Sequence, residues 1–321
     1  METWVGIDIS KDTFDAAWVV EGKKNHLKLE NNPKGYRKLL SEVPDGAHFA
    51  MEATGEYHLN CARFLFQKDK PISVLNPFAV KMHMQSDLRR CKSDKADAYS
   101  IAKFASEKAV EPWFCPSDDD IRLKHLDAVV DNLQKQIRQS KNVLHSLSQV
   151  CLKDDLAVAV IKKTIRSLEE LMEKAKAKQS DIIMANRSEE VSLACTIPGI
   201  GMETSLKFFT HVGDVARFSS SRSLISWIGL SPRNAQSGTS IHRNGSISRM
   251  GCVRLRGQLY MCAVVASRVN PDCSAFYRRL KELGKPSKVA LIAVANKLLR
   301  QLYAVLTKKE AYVPNFCTKT S

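Results

Sequence analysis

Four acidic residues have the types and spacing of a single cation site: Asp8, Glu52, Asp94 and Asp97. Asp8 closes the apolar run VGIDIS, and Glu52 closes a second one, AHFAMEATG. Asp94 and Asp97 lie three apart in KSDKADAYSIAKFA, which reads as the first turn of a helix. Residues at i and i+3 share a helix face, so both carboxylates can address one point. Carboxylates brought from two strands and a helix suit hard divalent cations, Mg2+ with Mn2+ as a substitute. Such ions stabilise the attacking and leaving oxygens of phosphoryl transfer, the chemistry of cutting nucleic acid. Without cations, four carboxylates in one place raise one or more of their own pKa values.

The elements that must carry these residues follow from the pattern. Strands are expected at 3–10, 13–20 and 26–31, with Lys11 and Asp12 as a tight turn between the first two. A helix from Pro33 to about Val43, a strand at 47–53, a helix at 57–68, a short strand at 72–75 and a helix opened by Pro77 complete an α/β domain over 1–112. Asp12 in the turn and Asp15 at the start of the second strand read as solvated. The triplet Asp118-Asp119-Asp120 reads as a cap on the following helix through its dipole. Glu56, four residues after Glu52, is a candidate supporting group.

Over 118–186 the apolar residues keep a 3-4 spacing, first from Leu123 to Leu147 and then from Val158 to Ala175. The interruption falls at Lys153-Asp154-Asp155, so two long amphipathic helices form a hairpin or coiled-coil arm. A third, mainly helical domain is expected over 187–321. It opens with TIPGIG at 196–201, which has the pattern of a helix-hairpin-helix turn; Gly199 and Gly201 would bring backbone N–H groups to a phosphate. The Ser-, Gly- and Arg-rich stretch 217–257 reads as a loop whose Arg233, Arg243, Arg249, Arg254 and Arg256 hold a phosphate backbone, anchored by Trp227-Ile228-Gly229-Leu230. Apolar helices at about 252–269 and 287–306 supply a core.

Charge supports this division. The net +15 falls entirely on residues 205–321, where 19 Lys and Arg face 4 Asp and Glu; residues 1–204 hold 30 of each kind. A basic domain on a neutral one calls for a polyanionic partner. The 9 cysteines form no CxxC pair with a nearby histidine, which argues against structural zinc. No leader and no apolar run of about 20 residues is evident, so an intracellular chain without a membrane partner is expected. VGIDIS superficially fits a sugar-kinase-type ATPase, but Ser10-Lys11-Asp12-Thr13 lacks the glycine of a phosphate turn.

GIDIS, EATGEY, KSDKADA, IPGIG, GDVARF, GLSPRNAQSG and RMGCVRLRG occur in this order over nearly the whole chain. Together they resemble the DEDD transposases of the insertion-sequence IS110 family, which includes Piv-type DNA invertases. The resemblance implies a RuvC-like ribonuclease-H domain whose tetrad, Asp8, Glu52, Asp94 and Asp97, binds Mg2+. It implies a coiled coil leading to a transposase domain with a nucleophilic serine, carried here by Ser237 before Gly238, with Ser240 and the more distant Ser231 as rivals. It further implies donor and target DNA, a structured noncoding bridge RNA, assembly as dimers to tetramers, and a bacterial or archaeal cytoplasm with access to the nucleoid. Ser-Arg-Met-Gly at 248–251 departs from the family's usual Ser/Lys-Arg-Gly run. A site-specific invertase uses the same chemistry; a RuvC-like hydrolytic nuclease would use the tetrad with water and no serine.

Overall fold

The computed structural model describes residues 2–53, 55–86, 93–149, 154–237, 241–248 and 251–314, with backbone alone over 233–237 and 241–246. Contacts divide the chain into two units, Met1–Pro116 and Ser117–Ser321.

The first unit is built on a meander. Strands β1 (Trp4–Ile9), β2 (Thr13–Val20) and β3 (Lys23–Glu30) are followed by α1 (Pro33–Glu42), β4 (His48–Glu52), α2 (His58–Phe66), β5 (Ile72–Leu75), α3 (Pro77–Ser86) and α4 (Asp94–Glu107). The sheet order is β3-β2-β1-β4-β5. β1, β2 and β3 pair antiparallel, whereas β4 joins β1, and β5 joins β4, in parallel. Both turns of the meander are short. Ser10 N–H and Oγ–H donate to the Thr13 carbonyl and close Lys11-Asp12 into the expected two-residue turn. Helix starts are chemically marked: Asn32 caps α1, with Pro33 at its first position, and Ser93 caps α4 by accepting from the Ala96 amide.

One residue sets how closely a helix approaches the sheet. A Cβ on Gly6, in the middle of β1, would lie 2.1 Å from the Ala98 carbonyl oxygen and 2.4 Å from the Ala102 nitrogen. α4 therefore rests backbone to backbone on β1, with Ala98 and Ala102 as its contact face. The apolar core on the sheet includes Val5, Ile7, Phe14, Phe49, Met51 and Leu65.

The second unit opens with α5 (Asp118–Ser148), capped by a reciprocal pair in which Ser117 and Asp120 each accept from the other's backbone amide. α6 (Asp155–Cys195) returns beside it, capped by Asp154. Leu123, Val130 and Ile137 of α5, with Ile165, Ala175 and Ile183 of α6, bury the seam. Lys141 Nζ reaches Glu169 Oε1 at 2.8 Å across it. At Arg187 the backbone leaves helical geometry (φ −143°, ψ 29°) and the helix bends, one residue beyond the expected arm boundary.

Then come α7 (Met202–Val212), α8 (Ser221–Ile228), β6 (Pro232–Ser237), β7 (Ile241–Ile247), α9 (Val253–Val269), α10 (Pro271–Glu282) and α11 (Ser287–Lys308). Leu123 and Ile183, at the base of the arm, join Phe208, Leu224, Leu259 and Leu298 in one core, so the arm and the C-terminal helices form a single body. α11 has the length and apolar composition of a membrane span, but Val294, Ala295, Leu298, Leu299 and Leu302 on it are buried in that core.

Two expectations need correction. The stretch 217–257, read as a loop up to the expected helix at about 252, contains α8 and an antiparallel β6–β7 ribbon. The strand sequences PRNAQS and IHRNGSI lack apolar alternation, the usual signal of a half-buried strand, so the pattern concealed them. Asp15 is not solvated; it is 5% exposed.

If Gly6 sets the seating of α4, Gly6→Ala forces helix and strand apart at a packed contact. The N-terminal unit should lose about 1–3 kcal/mol of stability. Chemical denaturation followed by amide exchange within β1 measures this; unchanged protection would show that α4 does not depend on the missing methyl.

Candidate metal centre and nucleic-acid interface

The strand register brings the first two carboxylates together. β1 and β4 run in parallel with Ile7 beside Met51, and one step further along each strand come Asp8 and Glu52. On the other side of β1, Asp8 pairs directly with Asp15 of β2. Asp94 and Asp97 occupy the first turn of α4, the helix seated on β1 by Gly6. Their position at a helix N-terminus suits negative charge, because unpaired N–H groups lie there.

The electrostatics of Asp8 register this crowding. Its carboxyl is pushed up to about 6, first by burial and then by the charges of Asp97, Asp94, Glu52 and Asp15, in that order. Five acids on β1, β2, β4 and α4 thus share one field. Two basic side chains from β3 moderate it. His26 Nε2 lies 2.6 Å from Asp15 Oδ1. Lys28 Nζ lies 3.7 Å from Asp15 Oδ2 and 3.8 Å from Asp94 Oδ2. Among the described residues, no three acidic, histidine or cysteine side chains are grouped tightly enough to hold an ion as they stand. The donor set itself, all carboxylate oxygen, fits a hard divalent cation and not a soft one.

Asp15 and its partners are what sequence reasoning missed, although the signal was present. A two-residue turn at Lys11-Asp12 places residue 15 opposite residue 8, so Asp15 belongs beside Asp8 and cannot be a freely solvated acid.

In the second unit the candidate nucleic-acid residues divide by surroundings. TIPGIG links α6 to α7, with Ile197 and Ile200 buried and Ile200 N–H donating to the Ile197 carbonyl. Gly199 adopts φ +102°, and a Cβ there would come within 2.7 Å of the Ala266 Cβ, so this glycine serves the packing of the turn on α9. Gly201 is the N-cap of α7 and has open space around it. That leaves the amides of the first turn of α7 as the part of the motif able to meet a phosphate.

Arg254 donates to Asp127 and Asp131 of α5. Asp127 is buried and also lies 3.3 Å from His211 Nε2, so α5, α7 and α9 meet at one carboxylate. Burial lowers the pKa of His211, but hydrogen bonds to Asp127 and Cys252 and their charges outweigh it and carry the imidazole up to about 9. Arg256 donates to the Ile228 carbonyl at 3.0 Å. Arg217 of the GDVARF segment stacks on Phe218 and Trp227, 4.7 and 4.8 Å from their ring centres. These arginines fasten the segment to the fold, a use that composition does not distinguish from phosphate binding. Arg249 and Ser240 lie outside the described residues, as do the side chains of Arg233, Arg243 and Ser237. Ser237 is the last residue of β6, its backbone paired with Ile241 of β7.

Comparison with known proteins matches both units. A transposase family model of the IS110 DEDD type covers residues 5–152. A second, described as transposase IS116/IS110/IS902 family, covers residues 191–278. The mixed five-stranded sheet is consistent with a DEDD nuclease-like N-terminal domain, and the two matches together define a transposase.

Relatives confirm it at full length. The pilin gene-inverting protein of Moraxella lacunata is 30% identical over 323 residues, covering 97% of this chain and 98% of its own. Its counterpart in Moraxella bovis is 29% identical over 320 residues, with the same shares. The transposase for insertion sequence element IS1111A of Coxiella burnetii is 26% identical over 340 residues, covering 96% of this chain and 90% of its own. The chain belongs to the IS116/IS110/IS902 family of transposases, and with it to the enzymes that cleave DNA to recombine it.

A pH consequence follows from Asp8. Its folded pKa lies above the ordinary 3.8, so the fold favours the protonated form and loses stability as pH rises from about 4 through about 6. Asp8→Asn cannot ionise. In chelator it should raise the melting temperature of the N-terminal unit at about pH 8 and leave it nearly unchanged at about pH 4. Equal effects at both pH values would mean that charge crowding is not the cause.

Proposed function

We propose that this chain is a recombinase in which Asp8, Glu52, Asp94 and Asp97 hold divalent cations, Mg2+ or Mn2+, against the DNA phosphate to be cut. The observation that carries the reading is the raised Asp8 carboxyl, which feels Asp97, Asp94 and Glu52 at once. The sheet order β3-β2-β1-β4-β5, with an antiparallel meander and two parallel strands, supports a RuvC-like ribonuclease-H domain. A divalent ion bound there would supply Lewis-acid polarisation of the phosphate and relieve the repulsion among the carboxylates. The chain's own groups do the rest. Asp8 and Glu52 would hold such an ion from the sheet, and Asp94 and Asp97 would hold it from the first turn of α4.

Ser237 supplies the nucleophile in this reading. Attack of its Oγ on phosphorus would place the DNA strand on the protein as a phosphoserine, conserving the bond for rejoining without an energy-rich cofactor. That requirement separates recombination from hydrolysis by water. The position of Ser237 at the end of a strand, in the PRNAQSG segment of a domain with excess positive charge, supports the assignment. Assembly as dimers to tetramers, so that sites from several copies act on donor and target duplexes, and direction by a bridge RNA belong to the same proposal. The full-length similarity to two pilin gene-inverting proteins favours inversion as the second outcome of the same chemistry.

The test is a recombination assay with purified chain, its cognate RNA, donor and target DNA. Asp8→Asn, Glu52→Gln, Asp94→Asn and Asp97→Asn should each reduce product by at least about 100-fold while the chain stays folded. Ser237→Ala should abolish the covalent protein–DNA adduct seen by denaturing electrophoresis. Full activity of Asp8→Asn would remove the metal site from the proposal. An adduct that survives Ser237→Ala and vanishes with Ser240→Ala would move the nucleophile three residues along.

A further inference from the structure

A cavity of about 560 Å³ opens between α10, α11 and residues 310–313, and none of the residues assigned above lines it. Its size falls within the roughly 300–1,000 Å³ typical of sites for small organic groups. The wall combines three kinds of side chain. Phe276 and Tyr312 provide aromatic surface, Lys297 and Arg300 provide positive charge, and Asn296 and Gln301 provide amides. Lys297 Nζ stands 5.4 Å from the centre of the Phe276 ring, so a cation and a flat apolar face adjoin.

Of the two acids in the wall, Asp272 and Glu310, the first is engaged: Asp272 Oδ2 accepts from Tyr312 Oη at 2.6 Å and from Gln301 Nε2 at 3.4 Å. The same network runs back to the TIPGIG turn. Tyr312 N–H donates to Thr196 Oγ1, Tyr312 Oη lies 3.1 Å from Asn270 Oδ1, and Asn270 Nδ2 donates to the Pro198 carbonyl. The cavity is thus braced on the segment that can meet a phosphate backbone.

We propose that this cavity receives an unpaired nucleobase from single-stranded nucleic acid, with its phosphate held by Lys297 and Arg300. An aromatic wall stacks the base and adjacent cations hold the backbone, the combination by which proteins bind unpaired strands. The proposal goes beyond the tetrad and the serine and depends on neither, so it is tested with chelator present.

Binding of fluorescein-labelled single-stranded RNA, single-stranded DNA and duplex DNA to the full chain is measured by anisotropy. Ala304→Trp fills the cavity from an exposed position, and Arg300→Ala, also exposed, removes charge without touching the core. Each should weaken single-strand binding about tenfold and change duplex binding less than about twofold. Loss confined to RNA or to DNA supports the pocket and names the sugar it accepts; loss for both supports it without sugar preference. Oligonucleotides carrying 4-thiouridine or 4-thiothymidine should crosslink to the peptides holding Phe276 or Tyr312. Unchanged single-strand affinity in both variants, an equal loss for duplex, or crosslinks mapping elsewhere would each overturn the proposal.

Discussion

The catalytic reading depends on the contact between Gly6 and α4. Asp8 is fixed by the sheet, whereas Asp94 and Asp97 are fixed only by where their helix sits. A methyl group on residue 6 would occupy the space of the Ala98 carbonyl and the Ala102 amide. Closeness without a side chain between the backbones brings helix-borne and strand-borne acids into one field. The same closeness creates the electrostatic penalty on Asp8, so packing energy in the N-terminal unit is opposed by charge repulsion at its edge. Lys28 offsets part of it, lying within 4 Å of both Asp15 and Asp94, and His26 lies 2.6 Å from Asp15.

Much of this was legible in the residues. The three meander strands, the helices opened by Pro33 and Pro77, the Ser93-capped helix and the two long arm helices all carry a local signal: a turn, a cap or an apolar period. What stayed hidden depends on partners distant in sequence. Asp15 became a buried acid through its pairing opposite Asp8 and its contact with His26. Arg254 and His211 converge on Asp127, more than eighty residues away. The β6–β7 ribbon has no apolar alternation, so only its backbone pairing reveals it.

The candidate site shows the same division. The four tetrad positions stand at ends of elements, where the sequence announces them. The arginines do not: one residue type both grips phosphate and clamps helices together. Arg254, Arg256 and Arg217 hold internal carboxylates, a carbonyl and aromatic rings. The positive charge of the C-terminal part is therefore smaller in effect than its formal excess, because part of it is neutralised within the fold.

The bend at Arg187 has a mechanical meaning. α6 runs for 41 residues, about 60 Å at 1.5 Å per residue, from the distal end of the hairpin to the TIPGIG turn. Its joint is secured by ions: Arg187 lies 3.9 Å from Asp120 and 3.4 Å from Glu190, with Phe209 beneath its guanidinium. Dissolved salt screens such pairs. Higher ionic strength thus loosens the joint through which the long helix reaches the TIPGIG turn.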